Sequence, residues 1–226
     1  MKKIILVCLG IMLLGCVAQA SPLMDFSAGK GSVDLTYRNS ENSSTGDYSG
    51  VSPRKYNLDA SLTLGLGNNF AFEYRNFNSE ASPNPFIYGG SSVSKISTSE
   101  FNILYKLDKS VAVFSGLVTA KGQDVFSSYP TISYTTNSKK LWQLGLIGST
   151  AIADKTTLWG SVAAGSSSLL VWEIGLSYEF CPNVELNVNY RSVKSDNFSG
   201  TNGGGTHFTI DEAKAKGAGV GITYKF

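Results

Sequence analysis

Residues 217–226 read G-A-G-V-G-I-T-Y-K-F, and this stretch decides the fold. Ala218, Val220, Ile222, Tyr224 and Phe226 fall on one side of an extended chain, and Gly217, Gly219, Gly221, Thr223 and Lys225 on the other. A period of two is a strand. A strand greasy on one side and small or polar on the other separates two different environments.

Working upstream, the same alternation predicts strands over 31–39, 56–66, 70–78, 98–107, 111–121, 140–152, 156–164, 169–180 and 184–193, with the last over 213–226. In residues 56–66, for example, Tyr56, Leu58, Ala60, Leu62, Leu64 and Leu66 oppose Asn57, Asp59, Ser61, Thr63 and Gly65. Residues 111–121 are apolar on both sides, so their facing stays open. Four connections are tight turns, at 67–69, 108–110, 153–155 and 181–183, built on Gly, Asn, Asp, Lys and Pro. The polar stretches 40–55, 79–97, 122–138 and 194–212 read as long loops, and 165–168 is the one short connection in a long-loop position.

The amino terminus has a different character. Lys2 and Lys3 precede eleven apolar residues, 4–14, and Ala18-Gln19-Ala20 is a small-x-small cleavage site. Residues 1–20 are therefore expected to be a cleaved signal peptide and 21–226 a single domain. Leu13-Leu14-Gly15-Cys16 also resembles a lipobox, which would lipidate Cys16 instead. Removing Lys2 and Lys3 leaves 17 basic against 17 acidic residues, with no basic footprint for nucleic acid. Only Cys181 remains after cleavage at Ala20, so no internal disulfide supports the fold.

An exported chain of ten alternating strands has two solutions, a soluble sandwich or a membrane barrel. The membrane is favoured by aromatics near the strand ends of the apolar face: Tyr37, Tyr56, Phe70, Tyr74, Tyr105, Phe180, Tyr190, Tyr224 and Phe226. It is favoured too by charges of both signs on the opposite face. Asp34, Arg38, Asp59, Glu73, Arg75, Lys106, Glu173, Glu185 and Arg191 are the candidate lumen lining. In lipid every backbone group must bond within the protein, which requires closure. The expected fold is all-β, a closed antiparallel up-and-down transmembrane β-barrel of ten strands, with eight as the alternative. An even count puts both termini on the tight-turn side, taken as periplasmic.

The signal sequence, the hairpin L-S-Y-E-F-C-P-N-V-E-L-N-V-N-Y-R at 176–191 and the terminal I-T-Y-K-F resemble the small bacterial outer-membrane barrels of the OmpA-like and opacity-like families. The resemblance covers the mature chain as a pattern. It implies residence in the Gram-negative outer membrane, contact with outer-membrane lipid, and an assembly signal at Tyr224 and Phe226 read by the barrel-insertion machinery.

Catalytic chemistry is poorly represented. His207 is the one histidine, in a glycine-rich stretch near Asp211 and Glu212. Ser92-Val93-Ser94-Lys95 and Ser195-Asp196-Asn197 match two serine-enzyme motifs, but no K-T-G follows. No H-E-x-x-H, cysteine pair or phosphate loop is present, so no cofactor or metal is expected. The expected role is structural or surface display, with an extracellular ligand met through the long loops. Phe86, Tyr88, Phe126, Tyr129, Tyr134 and Phe198 are the loop aromatics that point that way. A narrow porin-like channel for small polar solutes is the alternative, and an outer-membrane hydrolase the remote one.

Overall fold

The computed structural model describes residues 25–47, 50–85, 91–127, 132–202 and 204–226. The leader residues 1–20, Cys16, Phe86, Tyr88 and Tyr129 lie outside the described residues. Ten long strands follow one another: β1 (Gly31–Gly46), β2 (Lys55–Gly67), β3 (Phe70–Glu80), β4 (Ser91–Asp108), β5 (Val111–Ser127), β6 (Lys139–Ala153), β7 (Thr156–Gly165), β8 (Leu170–Cys181), β9 (Val184–Asn202) and β10 (His207–Lys225). Each pairs antiparallel with its sequence neighbours, and β10 returns to β1. That closing seam runs from Ser32↔Lys225 through Tyr37↔Val220 to Ser44↔Ala213. The result is a closed ten-stranded up-and-down barrel, not the eight-stranded alternative.

The four tight turns fall where the turn residues place them. Asn68, Asn69, Lys155 and Asn183 take positive φ, as does Gly67. The start of β1 and the C-terminal residue share this turn end: Gly31 N donates to Phe226 O, and Phe226 N to Gly31 O, both at 2.9 Å.

The outer surface carries an apolar belt. On β8, Trp172, Ile174, Leu176, Tyr178 and Phe180 are exposed, while Val171, Glu173 and Ser177 between them are buried. From Leu170 to Phe180 at about 3.3 Å per residue and about 40° of tilt, the belt is roughly 25 Å tall, the height of the apolar band on transmembrane β-barrels. Rings stack at both margins. Tyr37 lies on Tyr56 (4.8 Å) and Trp172 on Tyr190 (5.4 Å) toward the loop end, and Phe70 meets Tyr105 (4.9 Å) and Tyr224 meets Phe226 (6.3 Å) toward the turn end.

Strand β5 takes the facing that its sequence left open. Ala112, Phe114, Val118 and Ala120 are buried inside and Leu117 is 60% exposed outside. The lumen is thus lopsided. The β4–β6 wall contributes Leu104, Phe114, Val118 and Leu141, and the remaining walls most of the polar side chains.

Beyond the belt at the loop end, the strands run farther than the alternation predicts. β4 has 18 residues, and β9 and β10 have 19 each. Much of the chain expected as loop is therefore sheet. Its outward side chains no longer meet lipid, so they are Ser, Thr, Asn and charged residues on both faces, and the period-two signal fades. The facing also switches. Asp196 pairs with Glu212 and Phe198 with Ile210 in unbroken register, but Asn197 (φ 60°) and Asp211 between them leave the ladder, and the buried positions change from odd to even numbers on both strands. Phe198, Phe208 and Ile210 are thereby buried in an upper core with Phe77, Ile96 and Val193. Phe198 is not the exposed loop aromatic expected of it, and Tyr134 packs edge-on against Phe208 at 5.5 Å.

This upper storey is narrower than the barrel. A short strand, Ile132–Thr136, pairs with both β5 and β9 and so bypasses β6, β7 and β8. The turn at 166–169 tucks beneath it, where Ser167 O accepts from Asp196 N at 3.0 Å.

Candidate functional site in the barrel lumen

Glu173 on β8 sits at the centre of the lumen and meets three arginines from three other strands. Its Oε1 accepts from Arg38 Nη2 (3.2 Å), and its Oε2 from Arg75 Nη1 (2.5 Å) and Arg191 Nη1 (3.0 Å). Each arginine has a second carboxylate of its own. Arg38 Nε donates to Asp59 Oδ2 (2.6 Å), Arg75 Nη2 to Glu73 Oε1 (3.0 Å), and Arg191 Nη2 to Glu100 Oε1. Arg38 Nη1 also reaches the carbonyl of Gly217 (3.1 Å), on the small-residue face of β10. The Phe77 ring lies 5.9 Å from the Arg38 guanidinium and 5.6 Å from that of Arg191, and so roofs the cluster. Buried charges survive only when paired and hydrogen-bonded. Here three cations are interleaved among four carboxylates.

Amides extend the knot sideways. Asn102 Nδ2 donates to Glu73 Oε2 (2.9 Å), and Gln143 Nε2 to Asn102 Oδ1 (2.9 Å). Toward the turn end a chain of uncharged donors runs from Trp159 Nε1 to Ser177 Oγ (2.9 Å), on to Asn187 Oδ1 (2.6 Å), and from Asn187 Nδ2 to the Asp34 carboxylate at Oδ2 (3.1 Å). Thr36 and Thr223 also donate to Asp34, at 2.9 and 2.8 Å.

Apolar side chains flank this polar layer. Toward the turn end Phe26 joins Ala71, Leu104, Ala112, Phe114 and Ile147 of the β3–β6 side, opposite the Trp159–Asp34 chain, and toward the loop end lies the upper core. Phe26 comes from the segment before β1. Gly67 N donates to Phe26 O (2.9 Å), and Gly65 makes room for the segment, since a Cβ there would lie 2.3 Å from Ser27 O. On the turn-end side of the knot is a cavity of about 50 Å³ lined by Asp34, Thr36, Ser61, Arg75, Asn189 and Thr223. By volume it holds about three or four waters. Arg75 Nε and Asn189 Oδ1, which have no protein partner among the described residues, belong to its lining residues.

Of the nine candidate lining residues, Arg38, Asp59, Glu73, Arg75, Glu173 and Arg191 form the knot. Asp34 accepts the end of the Trp159–Asn187 chain, and Glu185 pairs with Lys225 at the turn end. Lys106 stands apart, half-buried, with no ion pair among the described residues. Sequence reasoning missed Glu100, which is 3% exposed. The parity that placed Asn102 and Lys106 inside also places Glu100 there. It missed Phe26, which precedes the first strand, and Phe77, an apolar residue that parity places on the inward face with Glu73 and Arg75. His207 is exposed beside the buried Phe208, and among the described residues no hydrogen bond joins it to Asp211 or Glu212. No three His, Cys, Asp or Glu side chains among the described residues group as a metal site.

A closed barrel with a ring-margined apolar belt and a polar, ion-paired interior defines a transmembrane β-barrel. The comparisons with solved structures fall in that class. The outer-membrane protease OmpT of Escherichia coli superimposes with a TM-score of 0.57 at 10% identity, covering 87% of this chain and 96% of that one. Ail, the attachment invasion locus protein of Yersinia pestis, solved with the heparin analogue sucrose octasulfate, gives 0.48 at 14% identity over 88% and 99%. Neisserial surface protein A gives 0.45 at 13% identity over the same shares. No protein-family model and no curated protein matches the sequence. The chain has the fold of the small outer-membrane β-barrel proteins.

Proposed function

We propose that the protein is a non-conducting barrel of the bacterial outer membrane that holds its long strand extensions and loops at the cell surface for contact with other molecules. The observation that carries this reading is the filled lumen: the Glu173 knot ties β1, β2, β3, β4, β8 and β9 together across the axis, with the upper core packed over it toward the loop end. A porin needs a continuous wet path, and the cavity of about 50 Å³ is far smaller than a hydrated solute's passage. Its partners are outer-membrane lipid along the belt, the insertion machinery at Tyr224 and Phe226, and an extracellular ligand at the loops. Residues 1–20 serve as the export signal, both termini face the periplasm, and the protein is not an enzyme.

Planar-bilayer recording on the purified, folded barrel tests this. Silence over many insertions, with folding verified by heat-modifiable gel mobility, is the expected result. Reproducible single-channel steps would establish the porin-like alternative. The hydrolase reading is tested by assaying peptide and lipid hydrolysis with His207→Ala as control, and no turnover sensitive to that change is expected.

A further inference from the structure

The two margins of the apolar belt differ in charge. At the turn end the exposed Lys30, Lys109 and Lys155 are matched by Asp108, Asp154 and Glu179. At the loop end basic side chains gather on the outer surface immediately past the belt. Alternation directs Lys140 outward one step beyond the exposed Trp142, Lys121 two steps beyond the exposed Leu117, and Lys216 and Lys214 in succession beyond Val220 and Ala218. Carboxylates neutralise part of this collar. Glu41 takes Arg54 (3.2 Å) and Lys216 (3.1 Å), and Glu212 takes Lys194.

Three lysines are left over. Lys121, Lys140 and Lys214 have no ion pair among the described residues. Their placement is unfavourable for the isolated protein. Lys214 stands directly across the β9–β10 pairing from Lys194, and like charges opposite one another in a sheet repel. Lys140 is opposite Thr119 and Lys121 opposite Ser97, so these two ammonium groups are diagonal neighbours on β5 and β6 with hydroxyls between them and no carboxylate in either register position. Burial does not explain them either, since Lys121 and Lys140 are exposed.

We propose that these three lysines bind phosphate-bearing lipid headgroups in the leaflet at the loop end. A phosphate carries the charge that Lys121, Lys140 and Lys214 lack. The belt sets the depth at which a headgroup would lie, because side chains one or two steps past its margin reach the headgroup layer. Trp142 beneath Lys140 adds an interfacial ring to the same patch. The asymmetry between the two margins makes the contact selective for one leaflet. This inference rests on the membrane reading above, and adds to it a lipid chemistry and three residues.

The test reconstitutes the folded barrel in nanodiscs of neutral phosphatidylcholine containing a minor fraction of a phosphorylated glycolipid, and counts glycolipid retained per barrel by native mass spectrometry. The comparison set is Lys121→Ala/Lys140→Ala/Lys214→Ala and a turn-end control, Lys109→Ala/Lys155→Ala. Retention is expected to fall about five-fold for each lysine removed, to weaken with added salt, and to be unchanged in the control. Equal retention by both variants overturns the proposal, as does retention insensitive to salt. Competition by millimolar inorganic phosphate without lipid selectivity also overturns it, since the patch would then be a free-anion site. Heat-modifiable mobility of every variant in neutral nanodiscs shows that the barrel is folded and inserted. If that fails for the native chain, the membrane reading itself falls, whatever the lipid count.

Discussion

Glu173 and Arg191 face each other in register across β8 and β9, and Arg191 Nη1 donates to Glu173 Oε2 at 3.0 Å. The pair is local in sequence, 18 residues apart, but Glu173 is shared with Arg38 and Arg75 from the other side of the barrel. Removing the shared carboxylate leaves each guanidinium with one carboxylate partner and half of its buried charge pairing gone. Glu173→Ala is expected to destabilise the barrel by about 3–5 kcal/mol. Urea unfolding in detergent or bilayer would read this. Arg191→Met should cost a comparable amount by stranding Glu100. A double change of both residues to apolar ones should cost less than the two single losses added, because no buried charge of this pair is then left alone.

Phe26 plugs the turn end from outside the strand order. Truncating it opens a void against Ala71 and Leu104, and Phe26→Ala is expected to cost about 3–5 kcal/mol. Gly65→Val tests the same contact from the other side. Its side chain would meet the Ser27 carbonyl, which is backbone and cannot yield cheaply. Limited proteolysis should then release residues 25–30 from a barrel that otherwise stays folded.

The aromatic pair Tyr224 and Phe226 ends the closing strand at the belt margin. Phe226→Ser or its deletion is expected to reduce the level of heat-modifiable, membrane-inserted barrel more than any single change in 47–54 or 203–206. Normal levels of inserted barrel in that variant would remove the assembly role.

Two carboxylates beyond the belt are held below their ordinary value of 4.5. Glu41 is lowered chiefly by the hydrogen bond from Lys216, with Arg54 adding to it, and Glu80 by the hydrogen bond from Lys55. A carboxylate with a lowered folded pKa stabilises the fold fully above its unfolded value. That contribution is lost as pH falls through the folded value. The ties at the loop end should therefore hold at neutral pH and release in acid below 4.5. These pairs are partly exposed, so the effect is local and small, of order 0–1 kcal/mol each. Hydrogen exchange should show faster opening at residues 41–46 and 80 at acid pH, after correction for intrinsic rate, with the belt strands unchanged.

Cys181 lies exposed in the turn between β8 and β9, on the same end as both termini. A membrane-impermeant maleimide should leave it unlabelled in intact cells and label it once the outer membrane is breached. Labelling in intact cells would reverse the orientation.

Much of this was legible in the chain itself. Alternation in residues such as 56–66 and 217–226 has one physical cause, lipid on one side and a polar lumen on the other, and it marks strand, facing and closure together. The asparagine turns at 68–69 and 183 mark the short connections for the same kind of local reason. Where both faces meet like surroundings the signal disappears. Residues 111–121 have apolar neighbours on both sides, and 39–46 or 194–202 are polar on both, so the β5 facing and the narrowed upper storey emerged only from the assembled sheet. The switch of facing at Asn197 and Asp211 is a two-strand event that no single-strand pattern carries. The same holds at the centre. The sequence determined that Glu173 and the arginines point inward. That one carboxylate would collect Arg38, Arg75 and Arg191 beneath Phe77 depended on how far apart the walls stand and how the strands are staggered, and those distances exist only once the barrel has closed.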